Sequence, residues 1–479
     1  MSKLWRDIVV ATIVIVVAAV IVWNYYDVTI FTNWVKIYNE IGLLNLYTMY
    51  RYNESYRVVY FPLAPLTFIA FYNLGETTVE VLVNSTGMNT SSTQLEVLTT
   101  TLLRVISKLP LILSVYLTAY ILYKKEGAEV TRWWFYSIPL IIAVATYQFD
   151  PLMILFLLAG SYWLAEKKWL RAGMAWGLGT AIKYVPIILI PVAFMASEEK
   201  RDFLKFITAF IGVVLLVTLP FLLIDPEGFY MNVFEFHSDR PPQYLSIFNV
   251  PVLLSNRDPN IMQLVTQIWP YLFVLIYIIT LLIIKPRPGD KDSIFVSILA
   301  LLLVFTIFNK VINPNYLLWS YPYIIYVLIR RRKKLGLRLL IIASITAMLW
   351  PGLYLYVPAI LNKPAYIEEE MRYYNARILV EKSFQGSGKI FLQLLFIIGG
   401  FLKPFFTLIY NNMNILGVIM ILTYFLSLMY IAVHEIGGIH NINDIIEVLR
   451  QMYKRIHNII IFIIGLVRVI MGIGNKSRT

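Results

Sequence analysis

The stretch IVVATIVIVVAAVIV, residues 8–22, contains no charged residue and a single hydroxyl, at Thr12. Runs of this kind recur almost to the end of the chain. The first is therefore read as a lasting membrane anchor, not as a cleaved signal with one short apolar core and a small-residue cleavage site. The composition agrees: of 479 residues, 59% are hydrophobic and 15% aromatic, and the mean hydropathy of +0.70 lies far from that of a soluble domain. An all-α, polytopic integral membrane protein is expected.

A formal charge of +13 on a soluble surface would suggest nucleic acid. Here the basic residues fall in short clusters between apolar runs, which excludes that partner and makes them topological marks. Lys3 with Arg6, Lys124 with Lys125, Lys167 with Lys168, Lys200 with Arg201, Lys285 with Arg287, and the run Arg330 to Lys334 all read as cytoplasmic. The anchor then runs outward, and Asp27 emerges on the extracytoplasmic face. With no cysteine in the chain, disulfides are excluded.

The next inside mark is Lys124, so residues 25–101 form one large outer loop, closed by an inward helix near 104–123. The apolar run 60–74 is short for a crossing and holds two prolines, and is read as a helix at or dipping into the interface. Sequons at Asn53, Asn84 and Asn89 suit an outer location. Further spans are expected near 133–147, 151–166, 203–224, 265–284, 293–308, 316–329, 337–358, 389–410, 415–434 and 457–474, roughly thirteen in all. Between Lys168 and Lys200 parity requires two crossings in little sequence. A hairpin with Lys183, Tyr184 and Pro186 at its tip is predicted, its short limbs lining a water-filled cavity. A transmembrane catalytic domain at 1–434 would be followed by an amphipathic, membrane-associated segment at 435–479.

The outer ends of these spans gather unusual polar residues: Asp27; Gln148 and Asp150 in TYQFDP; Lys183 in AIKYVP; His237, Asp239 and Arg240 in FEFHSDRPPQYLSIFN; Lys310, Asn313 and Asn315 in FNKVINPNYLLW. Acids beside several cations and many tyrosines suit a phosphorylated, hydroxyl-rich substrate, with cations for phosphate oxygens, rings for sugar faces and a carboxylate for a hydroxyl proton.

An acid just after the first helix, YFPLAPLTF, LLRVISKLPLILSVYLTAYILYKK, YQFDPLMILFLL, AIKYVPIILIPVAF and FNKVINPNYLLWSYPY occur in that order. The set resembles the GT-C superfamily of membrane glycosyltransferases over about 25–330. It is nearest the polyprenyl-phosphate-sugar-dependent branch, around family 87 and the dolichyl-phosphate-mannose-dependent mannosyltransferases. The resemblance implies an inverting transfer of a hexose, most simply mannose, from a polyprenyl or dolichyl phosphate to an extracytoplasmic glycan or glycolipid. Asp27 would be the base. Lys183, Arg240, Lys310 and His237 would bind the donor phosphate, and Gln148, Asp150, Tyr184 and Asn315 the sugar or acceptor. No cofactor is implied, and no metal ligands are assigned. The chain carries YFPL where these families often have adjacent prolines, and one acid after the first helix where some have two, so a divalent metal stays open.

Simpler readings stand beside these. Asp27 can cap the helix whose apolar face carries Ile30, Trp34, Ile37 and Ile41, and Asp150 can be a charge at a helix start. Glu368 to Glu370, near Arg372 and Arg377, read most simply as a solvated outer loop, with help in binding acceptor as the alternative. GLGTAIK (177–183) lacks the spacing of a phosphate loop, and the histidines of HEIGGIH (434–440) stand six apart, where a zinc pair on a helix needs four. A secondary transporter or lipid flippase is the alternative from another class, since broken helices and embedded charges occur there too.

Overall fold

The computed structural model describes residues 3–86, 93–368 and 371–437, and pieces between 444 and 457. The sequon at Asn89, the acids Glu369 and Glu370, His440, the expected span 457–474 and most of the amphipathic stretch before it lie outside the described residues. What is described is a helical membrane protein, as expected. Among the described residues eight helices are long and apolar enough to cross a bilayer, fewer than the expected count of about thirteen. Among the described residues the difference comes from shorter or broken helices, such as Asp150–Ala165, Val185–Met195 and Leu317–Arg330, which need less lipid-facing length because neighbours largely cover them.

The bundle has a basic end and an opposite end that holds Asp27. Arg132 with Asp7 (2.6 Å), Lys125 and Lys168 with Glu166 (2.5 and 2.6 Å), Lys291 with Glu126 (2.7 Å) and Lys333 with Glu435 (3.1 Å) all lie at the basic end. The helix Lys3–Ile21 runs away from it and stops against two cations of the long helix Thr93–Glu126. Arg104 donates to the carbonyls of Val20 (3.1 Å) and Ile21 (2.9 Å), and Lys108 to those of Ala19 (3.0 Å), Val22 (2.7 Å) and Ala145 (2.8 Å). A helix C-terminus leaves carbonyls unpaired and carries partial negative charge, so these buried cations find their counter-charge in backbone.

The 34 residues of Thr93–Glu126 make a helix about 51 Å long, well over the roughly 30 Å of a hydrocarbon core. Its first turns, ahead of Arg104, therefore project past the Asp27 end. The helix Leu63–Thr86 lies antiparallel to it, with Gly75 against Leu103. It starts beside Ala181, to whose carbonyl the Leu63 amide donates (2.9 Å). Its other end meets the projecting turns. The segment expected as a short interfacial helix is thus a longer one, and Leu63–Ser85 is among the helices long and apolar enough to cross a bilayer.

The expected span 133–147 is two helices, Ala128–Phe135 and Ile138–Ala145, the second capped by Ser137 with Pro139 in its first turn. The predicted hairpin is present. Trp169–Thr180 rises to the Asp27 end, and Val185–Leu189 with Ile190–Met195 returns. Gly173 and Gly177 let its first limb press on Lys200–Ile224; a Cβ at Gly173 would lie 2.1 Å from the Phe206 carbonyl oxygen. The predicted span 389–410 is instead two helices, Lys389–Phe401 and Lys403–Asn411, broken before Pro404. Lys389 pairs with Glu96 (2.8 Å) and Asn414 bonds Asn256 (3.0 Å), so the pair begins and ends at the Asp27 end. A two-residue parallel pairing, Gln243–Tyr244 with Val311–Ile312, ties two loops together over the site, and a hairpin of Pro364–Ile367 with Arg372–Asn375 covers them.

Candidate active site

Asp27 owes its position to the end of the first helix. Asn24 caps the helix Tyr25–Glu40, its side-chain oxygen accepting from the Tyr26 amide (3.2 Å), so the cap expected of Asp27 is supplied three residues earlier. Asp27 sits in the first turn, where the helix dipole favours a carboxylate. Its Oδ2 accepts from Asn24 Nδ2 (2.6 Å) and from Gln148 Nε2 (2.7 Å). Gln148 is aimed there by a kinked turn in which Tyr147 adopts φ +60° while its hydroxyl donates to the Ser107 carbonyl (2.9 Å). Such a conformation persists in a non-glycine residue only when its surroundings enforce it.

Two cavities share this carboxylate, and a third opens from the first of them. The first, about 720 Å³ of empty space partly open to solvent, is lined by Asp27, Gln148, Arg57, Lys183, His237 and Arg240, with Tyr60, Tyr184, Tyr316 and Trp319. One carboxylate facing three fixed cations makes it an anion site. Lys183 is buried and surrounded by the rings of Tyr60, Tyr316 and Trp319 at 5.5, 5.5 and 5.6 Å. Behind it Asp150 is fully buried, and both its oxygens lie 3.0 Å from Lys183 Nζ. Asn315 Nδ2 (2.8 Å) and the Trp319 indole N–H also donate to it. Asp150 and Asn315, expected at a sugar, therefore form the seat of Lys183, and a hydroxyl would have to displace one of these partners to reach Asp150.

Arg240 donates twice to Gln243 Oε1 (3.1 and 2.6 Å), and Lys310 to the Ser238 carbonyl. The paired strands bring these loops together. Burial, with Arg240 beside it, pushes Lys310 down to about 8. His237 is pushed down to about 4 by burial and by Arg240. It stays neutral near pH 7, and its Nε2 donates to the Val59 carbonyl (2.9 Å). With that proton used, Nδ1 is an acceptor, better matched to a hydroxyl than to a phosphate oxygen. A second cavity, about 990 Å³ and mostly apolar, continues from Tyr184, His237, Arg240 and Tyr316 past Lys310 to Trp269, Phe273 and Phe305. Its wall helix Pro259–Ile283 has no buried residue, so this groove lies against the lipid side of the bundle.

The third cavity, about 1000 Å³, shares Asp27, Gln148 and Asn313 with the first and is walled by Trp350, Tyr354, Tyr366 and Glu368. Glu368, expected on a solvated loop, is buried. It accepts from the Tyr244 amide (2.5 Å) and Asn249 Nδ2 (3.1 Å), and burial raises its pKa above the usual carboxylate value. Arg57 is a second residue that sequence reading missed. It directly follows the short 3-10 turn Glu54–Tyr56, in the stretch before YFPL, where no periodicity or topological mark singles it out. It bonds the Tyr26 hydroxyl and stacks on Phe236 at 5.2 Å. Among the described residues no group of three or more metal-ligating side chains comes together.

Residues 94–308 match the model of glycosyltransferase family 87, a segment holding Gln148, Asp150, Lys183, Tyr184, His237 and Arg240 but neither Asp27 nor Lys310. The resemblance read from the sequence is thereby found independently, and the activity of the matched family is glycosyl transfer. A solved structure, ArnT from Cupriavidus metallidurans bound to undecaprenyl phosphate, is similar at a TM-score of 0.40 and 14% identity, over 90% of this chain and 77% of that one. No curated protein sequence matches.

Proposed function

We propose that the chain is an inverting membrane glycosyltransferase that moves a hexose, mannose being the sugar the resemblance implies, from a polyprenyl or dolichyl phosphate to a glycan or glycolipid outside the cytoplasm. The observation that carries this reading is a half-buried carboxylate, oriented by two amides, where a cationic cavity meets a separate aromatic one. The prenyl chain would lie in the groove of Trp269 and Phe273, with its phosphate among Lys310, Arg240, Arg57 and Lys183. The hexose would then sit over Tyr60 and Tyr184, beside Gln148.

In this arrangement the acceptor enters from the third cavity, on the other side of Asp27. Asp27 takes the hydroxyl proton as that oxygen bonds to the anomeric carbon. The anomeric carbon–oxygen bond to phosphate breaks on the opposite face, which inverts the configuration. The phosphodiester carries one negative charge and the departing prenyl phosphate two, so preorganised cations stabilise charge that appears only as the bond breaks. Asp150 holds Lys183 in place and does not join the reaction.

The test uses purified protein in liposomes with a polyprenyl phosphate carrying a labelled hexose and a glycan extract as acceptor. Transfer of label out of the lipid fraction, with stoichiometric release of prenyl phosphate, supports the reading. Movement of intact donor between leaflets with no bond cleavage would instead mark the chain as a flippase.

A further inference from the structure

Among the described residues, three side chains line both the cationic cavity and the aromatic one: Asp27, Gln148 and Asn313. Four side-chain amides line the two cavities together. Those of Asn24 and Gln148 are bonded to Asp27 (2.6 and 2.7 Å), and that of Asn315 to Asp150 (2.8 Å). Asn313 differs: its Oδ1 is enclosed and has no hydrogen-bond partner among the described residues. Its place is fixed by the backbone. The strand Val311–Ile312 ahead of it pairs with Gln243–Tyr244, Pro314 after it favours an extended residue, and its carbonyl accepts from the Tyr316 amide (2.9 Å). An enclosed acceptor left unpaired costs stability, so one kept at a cavity wall points to a donor that arrives with the ligand. A hydroxyl is such a donor, and the soft terminal torsion of a carboxamide lets Oδ1 turn to meet it.

We propose that Asn313 is a catalytic residue whose Oδ1 accepts a hydrogen bond from the donor hexose hydroxyl next to the anomeric carbon. The proposal rests on the glycosyltransferase reading and adds a residue that selects the donor sugar. In that reading the phosphate lies among Lys183, Arg57 and Arg240, and the attacking oxygen gives its proton to Asp27. The anomeric carbon then lies at the junction between them, and the hydroxyl one carbon away falls to the residues that wall both cavities. As the bond to phosphate breaks, positive charge grows on the anomeric carbon and makes that hydroxyl a stronger donor. The bond accepted by Asn313 therefore strengthens in the transition state, and acts on the rate more than on donor affinity.

The experiment is single-turnover transfer in liposomes by wild type, Asn313→Leu and Asn313→Ala, with a glycan extract as acceptor. The donors are polyprenyl phosphates carrying labelled mannose, glucose or galactose, each set against the matching 2-deoxy sugar. With the hexose that wild type uses, both variants should slow by roughly tenfold or more at nearly unchanged donor affinity, the scale of one hydrogen bond made in the transition state. With the 2-deoxy donor, the ratio of wild-type to variant rate should shrink to about twofold or less, the range within which independent changes add. Taking ratios cancels the different intrinsic reactivity of the two sugars. Because Oδ1 is unpaired in the fold, at least one of the two variants should melt at or above the wild-type temperature. Variant rates equal to wild type with the hexose, the same ratio with both donors, or melting of both variants well below wild type would overturn the proposal. Release of prenyl phosphate by wild type, measured in the same liposomes, separates this from the enzyme reading. Release that does not depend on Asn313 removes the role of that residue alone, and no release by wild type removes the enzyme and this role with it.

Discussion

At the scale of single residues, the site divides into groups that face its cavities and groups that hold them. Lys183 and Asp150 are a buried pair, so Lys183→Ala should leave an uncompensated carboxylate and lower stability by roughly 3–5 kcal/mol, whereas Lys183→Met with Asp150→Asn should recover most of it. Thermal unfolding in detergent reads both variants; equal melting of Lys183→Ala and wild type would contradict the pairing. Lys310 makes a different prediction. Its folded pKa of about 8 lies below the usual lysine value of about 10.4, so it loses its charge as pH rises through 8, and affinity for an anionic donor should fall there. Lys310→Arg should flatten that pH dependence of donor binding, because arginine stays charged. Asp27 and Lys183 were legible in the sequence because each breaks an apolar pattern at a helix end. Arg57 and Glu368 were not, since their environment is made by segments far apart in the chain: Phe236 and Tyr26 for the first, Tyr244 and Asn249 for the second.

At the scale of elements, the hairpin between Lys168 and Lys200 was legible from charge parity alone, which no helix propensity would have supplied. The breaks inside other passes were not: the one at Ser137 is a local N-cap, its hydroxyl accepting from the Leu140 amide, that the hydropathy of the run conceals, and the kink at Tyr147 acts through a hydrogen bond to Ser107 on another helix that local sequence does not display. The same holds for the cations that end the first helix. Lys108 reads as a charge lost in an apolar run until the carbonyls of Ala19, Val22 and Ala145 are placed around it. Lys108→Met keeps the length and removes three hydrogen bonds, so both the Asn24–Asp27 turn and the loop carrying Gln148 lose their anchor. Turnover should fall at least tenfold with donor affinity nearly unchanged, and stability should drop by about 1.5–3 kcal/mol, the scale of a charged hydrogen bond. Loss of donor affinity with normal turnover would place Lys108 in the binding site instead.

At the scale of the molecule, one end of the bundle is basic and the other carries the three cavities. By the positive-inside rule we propose that the basic end faces the cytoplasm and the cavities lie outside. Cysteine introduced at Ser85, exposed on the Asp27 side, should react with an impermeant thiol reagent in intact cells, and cysteine at Ser197, at the basic end, should not. Labelling at Ser197 alone would invert the topology. The all-α membrane architecture was legible from hydropathy, while the number of full-length helices was not, since buried short passes do not follow the rule that lipid-facing helices must obey. The proposed transfer depends on one proton transfer to Asp27 at the junction of two cavities, and Asp27→Asn tests it with little change of shape. Single-turnover transfer at saturating donor should slow by roughly a hundredfold or more, with donor affinity and folding retained, the scale expected for loss of a positioned base; transfer by Asp27→Asn at the wild-type rate would contradict the account.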